Sequence, residues 1–129
     1  MIRHHDLCFG CGQANLFGLQ LEAELSGDRE LHGRFFLKQD HQGPPGVAHG
    51  GVVSTALDEA MALLLHGLGE RTLTSRLEVD LLAPAPIGTV VEVRAWIESD
   101  DERRLTLGSE VSGKTVLARA RGTFVRVRS

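Results

Sequence analysis

The length, composition and charge of the chain are those of one ordinary globular domain. Its 129 residues, of which 24% are charged, carry a formal net charge of -3. We therefore expect a single core over residues 1–129 and no nucleic-acid partner. The sequence has no apolar run of membrane-spanning length, and its polar start does not resemble a signal peptide. These features predict a cytoplasmic protein without a membrane partner.

A polar lead-in over residues 1–15 contains Cys8 and Cys11, which have the C-x-x-C spacing of half a zinc site. A structural zinc needs about four ligands, and no second C-x-x-C follows. The missing ligands could come from a second subunit or from His4, His5 or His41. We interpret the pair as two free thiols packed in a terminal loop, so the sequence predicts neither a metal nor an organic cofactor.

The next segments predict a hairpin, a loop and one long helix. Residues 19–25 alternate apolar and polar side chains, as a half-buried strand does, and residues 31–37 form the second arm after a turn at Ser26-Gly27-Asp28. A loop rich in Gly and Pro covers residues 39–48. The helix predicted over residues 51–66 is apolar nearly all round, which indicates burial on most faces.

All elements after the helix are predicted strands, over residues 73–82, 90–97, 104–111 and 116–127. The order of two strands, one helix and four strands defines an α+β domain. The efficient way to bury such a helix is to wrap a curved antiparallel sheet around it.

The loop and the helix start bring together features that suit acyl transfer or hydrolysis. Gly50 and Gly51 open the helix, where free N–H groups favour negative charge and glycine allows a ligand to approach the backbone. Asp58 follows seven residues after Gly51 as a carboxylate on an apolar helix, which is costly unless it is used or paired. An oxyanion-binding helix start and a buried carboxylate are parts of many hydrolytic sites.

These motifs resemble those of the hotdog-fold acyl-CoA thioesterases, in the branch related to the phenylacetate-pathway thioesterase. The resemblance depends on the order of its motifs, which are Gln42-Gly43-Pro44-Pro45-Gly46, His49-Gly50-Gly51 with Asp58, Thr74-Ser75-Arg76-Leu77, and Ala83-Pro84-Ala85-Pro86-Ile87-Gly88. It implies a hotdog fold, in which a five- or six-stranded antiparallel sheet wraps a long central helix.

The resemblance also implies an activity and its residues. The chain would hydrolyse acyl-CoA to free acid and CoA, with Asp58 as general base or nucleophile. The N–H groups of Gly50 and Gly51 would hold the oxyanion, and Thr74 would orient the water or the carboxylate. His49 would be a general base or, as we favour, would fix the loop.

Three residues leave alternatives open. Many relatives carry Asn or Gln six residues before the motif histidine, a position that is Gly43 here. Gln42 beside it could bind the thioester oxygen instead, or a water could. Glu59 follows Asp58, and other hotdog branches use a glutamate at the helix. We interpret Glu59 as an exposed or interface charge near the substrate, while either acid could be the working carboxylate.

The resemblance implies a site between subunits, with Asp58 and Thr74 contributed by different chains of a homodimer or a dimer-of-dimers tetramer. Two alternative functions remain open. One is a non-catalytic acyl-CoA-binding module. The other is an enoyl-CoA hydratase, although that branch pairs an Asp with a His five residues away and Asp58 has no such histidine.

Overall fold

The fold combines one long helix with a single sheet. The computed structural model describes residues 1–27 and 29–127, so Asp28 of the predicted turn and the last two residues of the predicted domain lie outside the described residues. The elements in chain order are β1 (Glu22–Leu25), β2 (Glu30–Phe36), α1 (Gly50–Gly67), β3 (Thr72–Leu81), β4 (Val90–Asp100), β5 (Arg104–Ser112) and β6 (Val116–Arg126). The predicted order of two strands, one helix and four strands is confirmed.

The first strand is shorter than the alternation predicted, because its beginning pairs with the lead-in instead of the sheet. The N–H groups of Leu19 and Leu21 donate to the carbonyls of Phe9 and Gly10, both over 2.9 Å. Gln20 between them has a φ of 53°, which breaks the extended conformation. The ladder to β2 therefore begins at Glu22.

The six strands form one antiparallel sheet in the order β1-β2-β4-β5-β6-β3. The α+β hotdog architecture is confirmed, since the sheet curves around α1. The helix contacts every strand, and at about 1.5 Å per residue its 18 residues span about 27 Å. Its inward side chains include Leu57, Met61 and Leu64, all fully buried. The buried hydroxyl of Ser109 on β5 donates to the carbonyl of Leu57 over 3.0 Å, which ties the sheet to the middle of the helix.

The outer face of the sheet carries a packed aromatic side chain. On β4, Val91, Val93 and Ala95 point into the core, so Trp96 faces outward by the alternation of a strand. Its indole covers Gly108 of β5, where a Cβ would lie 2.6 Å from the ring, and only glycine allows this approach. The Arg94 guanidinium lies 5.5 Å from the ring centroid.

Strand β3 is an edge strand whose apolar side chains are only partly covered. Leu73, Leu77 and Leu81 are 68%, 36% and 57% exposed, and β3 lies at one end of the strand order, so one of its edges pairs with no other described strand. The pairing of β3 with β6 is interrupted by a bulge between Thr74 and Arg76. Among the residues that the structure describes, no helix has the length and apolarity needed to cross a bilayer.

Candidate active site

The loop before the helix is closed by its own hydrogen bonds. The Gly43 N–H donates to the Val47 carbonyl over 2.9 Å, and the Oε1 atom of Gln42 accepts the Gly46 N–H over 2.6 Å. The oxygen of the Gln42 amide is thus engaged in shaping the loop. The substrate-binding roles that we assigned to Gln42 and Gly43 stay predictions.

The helix start offers one free donor where the sequence predicted two. His49 is the N-cap residue, and its Nδ1 atom accepts the Gly51 N–H over 2.8 Å. The Gly50 N–H, by contrast, has no acceptor among residues 1–27 and 29–127. The predicted loop-fixing role of His49 agrees with this cap. The ring would have to move before Gly51 could donate to a ligand, so of the two glycines only Gly50 has a free N–H group.

Asp58 and Thr74 meet within one chain. The Thr74 hydroxyl donates to Oδ1 of Asp58 over 2.8 Å. This contact contradicts the expectation that the two residues come from different chains. Strand β3 runs back along α1. The bulge between Thr74 and Arg76 shifts the register of its pairing with β6 at that point.

The surroundings of Asp58 change its titration. Burial raises the pKa of Asp58 above its usual value, and the hydrogen bond from Thr74 partly opposes that rise. The next side chain on β3 takes no part, because the Ser75 hydroxyl donates to the carbonyl of Thr123 over 3.1 Å. Asp58 thus has one oxygen held by a hydroxyl in a half-buried position.

One chain cannot bring its own helix start and its own carboxylate to one carbonyl group. Asp58 lies eight residues after Gly50 on a continuous helix, so the two are separated by about 12 Å along the axis. A reacting atom must lie about 3 Å from both the oxyanion donor and the nucleophile or base. Each chain therefore contains both the Gly50 N–H group and the Asp58 carboxylate, but it holds them too far apart to contact the same carbonyl group.

The sequence suggested an exposed or interface charge at Glu59, whose side chain is not exposed in the structure, while the interface role stays a prediction. Glu59 projects about 100° around the helix from Asp58, toward the lead-in, and its side chain is 12% exposed. Its Oε2 atom lies 3.0 Å from Nδ1 of His4 and 3.4 Å from Sγ of Cys8. Burial opposes the ionisation of Glu59, but hydrogen bonds from His4 and Cys11 outweigh it and lower its pKa.

Of the three candidate histidines, His4 is the one that lies beside the two cysteines. The Nδ1 atom of His4 lies 3.7 Å from Sγ of Cys8 and 3.6 Å from Sγ of Cys11. The exposed His5 accepts the Leu7 N–H. His41 is buried elsewhere, with Nε2 donating to the Gly18 carbonyl over 3.1 Å. Sequence analysis missed Glu59 as a neighbour of the cysteines, and its only signal was a second carboxylate on an otherwise apolar helix.

A long helix in a curved six-stranded antiparallel sheet, with a carboxylate near its middle, defines a hotdog-fold domain. The family model described as Thioesterase superfamily matches residues 45–116, which is more than half of the chain. The chain therefore belongs to the thioesterase superfamily. The match begins beyond the lead-in.

Similar proteins carry consistent names. The chain is 29% identical over 89 residues to acyl-coenzyme A thioesterase THEM4 of Bos taurus, a match that covers 67% of this chain and 36% of that protein. It is 30% identical over 70 residues to THEM4 of Xenopus laevis, covering 54% of this chain and 32% of that protein. The chain thus spans about a third of the length of the curated relatives it matches.

Solved structures confirm the fold and the resemblance to the phenylacetate-pathway branch. A variant of the phenylacetic acid degradation protein PaaI from Thermus thermophilus superposes with a TM-score of 0.76 and is 27% identical, covering 83% of this chain and 93% of that one. A hypothetical thioesterase protein solved with coenzyme A, from Streptococcus pneumoniae, superposes with a TM-score of 0.78 at 18% identity, covering 84% of this chain and 88% of that one.

Proposed function

We propose that the chain is an acyl-CoA thioesterase that hydrolyses acyl-CoA to a free acid and CoA. The observation that carries the proposal is the Asp58 carboxylate, half-buried on an apolar helix and held by Thr74 over 2.8 Å. The superfamily membership supports hydrolysis of a thioester. The names of the matched relatives and the coenzyme A in the streptococcal structure support acyl-CoA as the substrate class.

The proposed chemistry uses the second oxygen of Asp58. Thr74 engages Oδ1, which leaves Oδ2 to take a proton from water as that water attacks the thioester carbonyl. The carbon–oxygen bond forms, the carbon–sulfur bond breaks, and the proton passes from Asp58 to the departing CoA thiolate. In the alternative route Oδ2 itself attacks the carbonyl carbon, the carbon–sulfur bond breaks, and CoA leaves as the thiolate. Water then hydrolyses the resulting mixed anhydride, which restores the Asp58 carboxylate and supplies the proton that the thiolate takes up. In both routes the Gly50 N–H donates to the oxygen that becomes negative.

The complete site is proposed to form between two chains. Because about 12 Å separates Gly50 from Asp58 on one helix, the donor must come from a second copy. The exposed apolar edge of β3 suits such pairing, and the chain places Thr74 near one end of that edge. Leu81 lies near the other end, with its Cδ1 atom 3.0 Å from where a Cβ on Gly50 would stand.

Antiparallel pairing of β3 with a second β3 about a two-fold axis near Leu77 places the Leu81 end of one chain beside the Thr74 end of the other. The Gly50 N–H of one chain then approaches the carboxylate of the other. The proposed assembly is a homodimer or a tetramer of two such dimers, and pairing also covers an otherwise open sheet edge. The cytoplasmic location stays a prediction.

The proposal is tested with purified full chain and a panel of aliphatic and aromatic acyl-CoAs. Asp58→Asn should lower kcat by about a hundredfold or more, because it removes the basic and nucleophilic oxygen. Asp101→Asn, at an exposed position of the turn between β4 and β5, is the matched control and should keep the wild-type rate.

Activity of Asp58→Asn within a few-fold of wild type would exclude Asp58 from the mechanism. Wild-type protein that binds acyl-CoA but releases no CoA would favour the non-catalytic binding module. Consumption of an enoyl-CoA without release of CoA would favour the hydratase. Either of these results would overturn the proposed function.

A further inference from the structure

We propose that His4, Cys8, Cys11 and Glu59 form a closed structural zinc site that fastens the lead-in to α1. The ligand-type atoms of these four residues all lie within 4.8 Å of one another. Sequence analysis expected two free thiols here, because the cysteines lacked further ligands. The proposal does not depend on the proposed hydrolysis of acyl-CoA.

The distances between the side chains match the edges of a zinc tetrahedron. Bond lengths of about 2.0–2.3 Å at tetrahedral angles require neighbouring ligand atoms to be about 3.3–3.8 Å apart. Nδ1 of His4 lies 3.7 Å from Sγ of Cys8, 3.6 Å from Sγ of Cys11 and 3.0 Å from Oε2 of Glu59. The Cys8 Sγ to Glu59 Oε2 distance is 3.4 Å. Three of these four distances fall in that range and the His4–Glu59 distance is shorter, while the two remaining pairs, Cys11 with Cys8 and Cys11 with Glu59, lie within 4.8 Å.

The backbone around the four residues supports the same geometry. The His4 N–H donates to Sγ of Cys11 over 3.1 Å, a contact that stabilises a thiolate bound to a metal. Gly10 lies against the Glu59 side chain, and a Cβ there would stand 2.4 Å from the Cδ atom of Glu59. Only glycine between the two cysteines allows the carboxylate to reach them.

The apolar residues of the lead-in bury too little surface to hold this segment against the domain. Three of its large apolar side chains are substantially exposed, namely Met1 (53%), Leu7 (66%) and Phe9 (49%). A short segment with so little core is commonly held by a disulfide or a metal. The cysteines here are free. Three of the four ligands lie before residue 45, where the superfamily match begins, so the site is an addition to the common domain.

The ligand set favours zinc in a structural role. Thiolate sulfur, imidazole nitrogen and carboxylate oxygen are all zinc ligands, and four protein ligands leave no position for water or substrate. Two thiolates and one carboxylate carry three negative charges, and a neutral imidazole adds none. The four ligands together with Zn²⁺ therefore have a net charge of -1. Cys11 is fully buried, which excludes solvent on that side.

The experiment uses untagged full chain, because a polyhistidine tag would bind zinc itself. Elemental analysis after gel filtration should give about one zinc per chain for the wild type. Glu59→Gln and Cys8→Ser should each lose most of that zinc, since each removes one of four ligands. His5→Gln, a change at the neighbouring exposed histidine, is the matched control and should keep it.

Cobalt provides a readout that does not depend on activity or on the stability of a variant. Wild-type protein stripped of metal and loaded with Co²⁺ should show thiolate-to-cobalt charge-transfer absorption and the d–d bands of a tetrahedral ion. Wild type that carries under about a tenth of an equivalent of zinc, even after incubation with Zn²⁺, would overturn the site. Full zinc retention by Glu59→Gln would overturn the ligand set, and stoichiometric iron or copper in place of zinc would overturn the metal assignment.

Discussion

Replacement of Gly50 by proline would remove the one free N–H at the helix start with little change to the fold. Proline is favoured at the first position of a helix. The preceding residue, His49, has φ −61° and ψ 136°, which is the conformation that a following proline requires. The matched control is Gly50→Ala, which adds the same Cβ contact with Leu81 but keeps the N–H.

The expected effect follows from the number of donors available. The Gly51 N–H is held by the His49 ring over 2.8 Å, so Gly50→Pro leaves no free donor at the helix start. Loss of one oxyanion donor typically lowers kcat by about a hundredfold to a thousandfold, or about 2.7–4 kcal/mol. Steady-state release of CoA by both variants measures the effect. Gly50→Pro should be slower than Gly50→Ala by that factor, with little change in KM.

Mixing two inactive variants then tests where the donor comes from. Gly50→Pro and Asp58→Asn chains are unfolded together and refolded. If the donor and the carboxylate come from different chains, each heterodimer has one intact site and one doubly damaged site. Random pairing makes half of the dimers heterodimers, so activity should approach about a quarter of wild type. Asp58→Asn mixed with Thr74→Ala should recover nothing, because those two residues act from the same chain.

Two results would refute this reasoning. A Gly50→Pro variant within about threefold of Gly50→Ala would show that Gly50 does not stabilise the transition state. A failure of Gly50→Pro and Asp58→Asn to recover activity, with subunit exchange confirmed by native mass spectrometry, would show that both residues act within one chain.

Three further perturbations test other parts of the structure. Leu77→Lys on the exposed edge of β3 should elute as a folded monomer in gel filtration and should lack activity, whereas Leu16→Lys, just after the lead-in, should remain oligomeric. Burial lowers the pKa of His41 from 6.5, so the unfolded chain protonates first as the pH falls. The contribution of neutral His41 to the free energy of unfolding is therefore complete above about pH 6.5 and declines below it. Denaturant titrations between pH 7 and 5 should show a smaller decline in the free energy of unfolding for His41→Gln than for the wild type. Leu57→Ala at the fully buried centre of α1 should lower the free energy of unfolding by about 2–5 kcal/mol, measured in urea, whereas Leu68→Ala at the exposed helix end should change it by about 0.5 kcal/mol or less.

The elements of this fold could be predicted from the sequence because each is marked locally. The helix begins after a Pro/Gly-rich loop and ends near Gly67, and the strands alternate between turn signals, so the predicted ends agree with the structure within about three residues at most boundaries. Residues 19–21 are the exception, because they pair with the lead-in, a contact that no local pattern records.

The site could be predicted only in part, because its residues were identified but their contacts were not. Adjacent helix positions point about 100° apart, so Asp58 and Glu59 face different segments of the chain. Strand β3 covers Asp58, and the lead-in covers Glu59. Thr74 reaches Asp58 through a bulge in β3, and the His49 ring turns back onto Gly51. These arrangements follow from three-dimensional packing, and the spacing of residues does not encode them.

The indole of Trp96, which packs on the outer face of the sheet, is an intrinsic fluorescence probe. The chain has one tryptophan and no tyrosine, so its tryptophan fluorescence comes from Trp96, between Arg94 and Gly108. This probe senses separation of β4 from β5 and lies on the side of the sheet opposite the helix. Release of the lead-in should therefore be silent in fluorescence, and circular dichroism would be needed to detect it as a separate event.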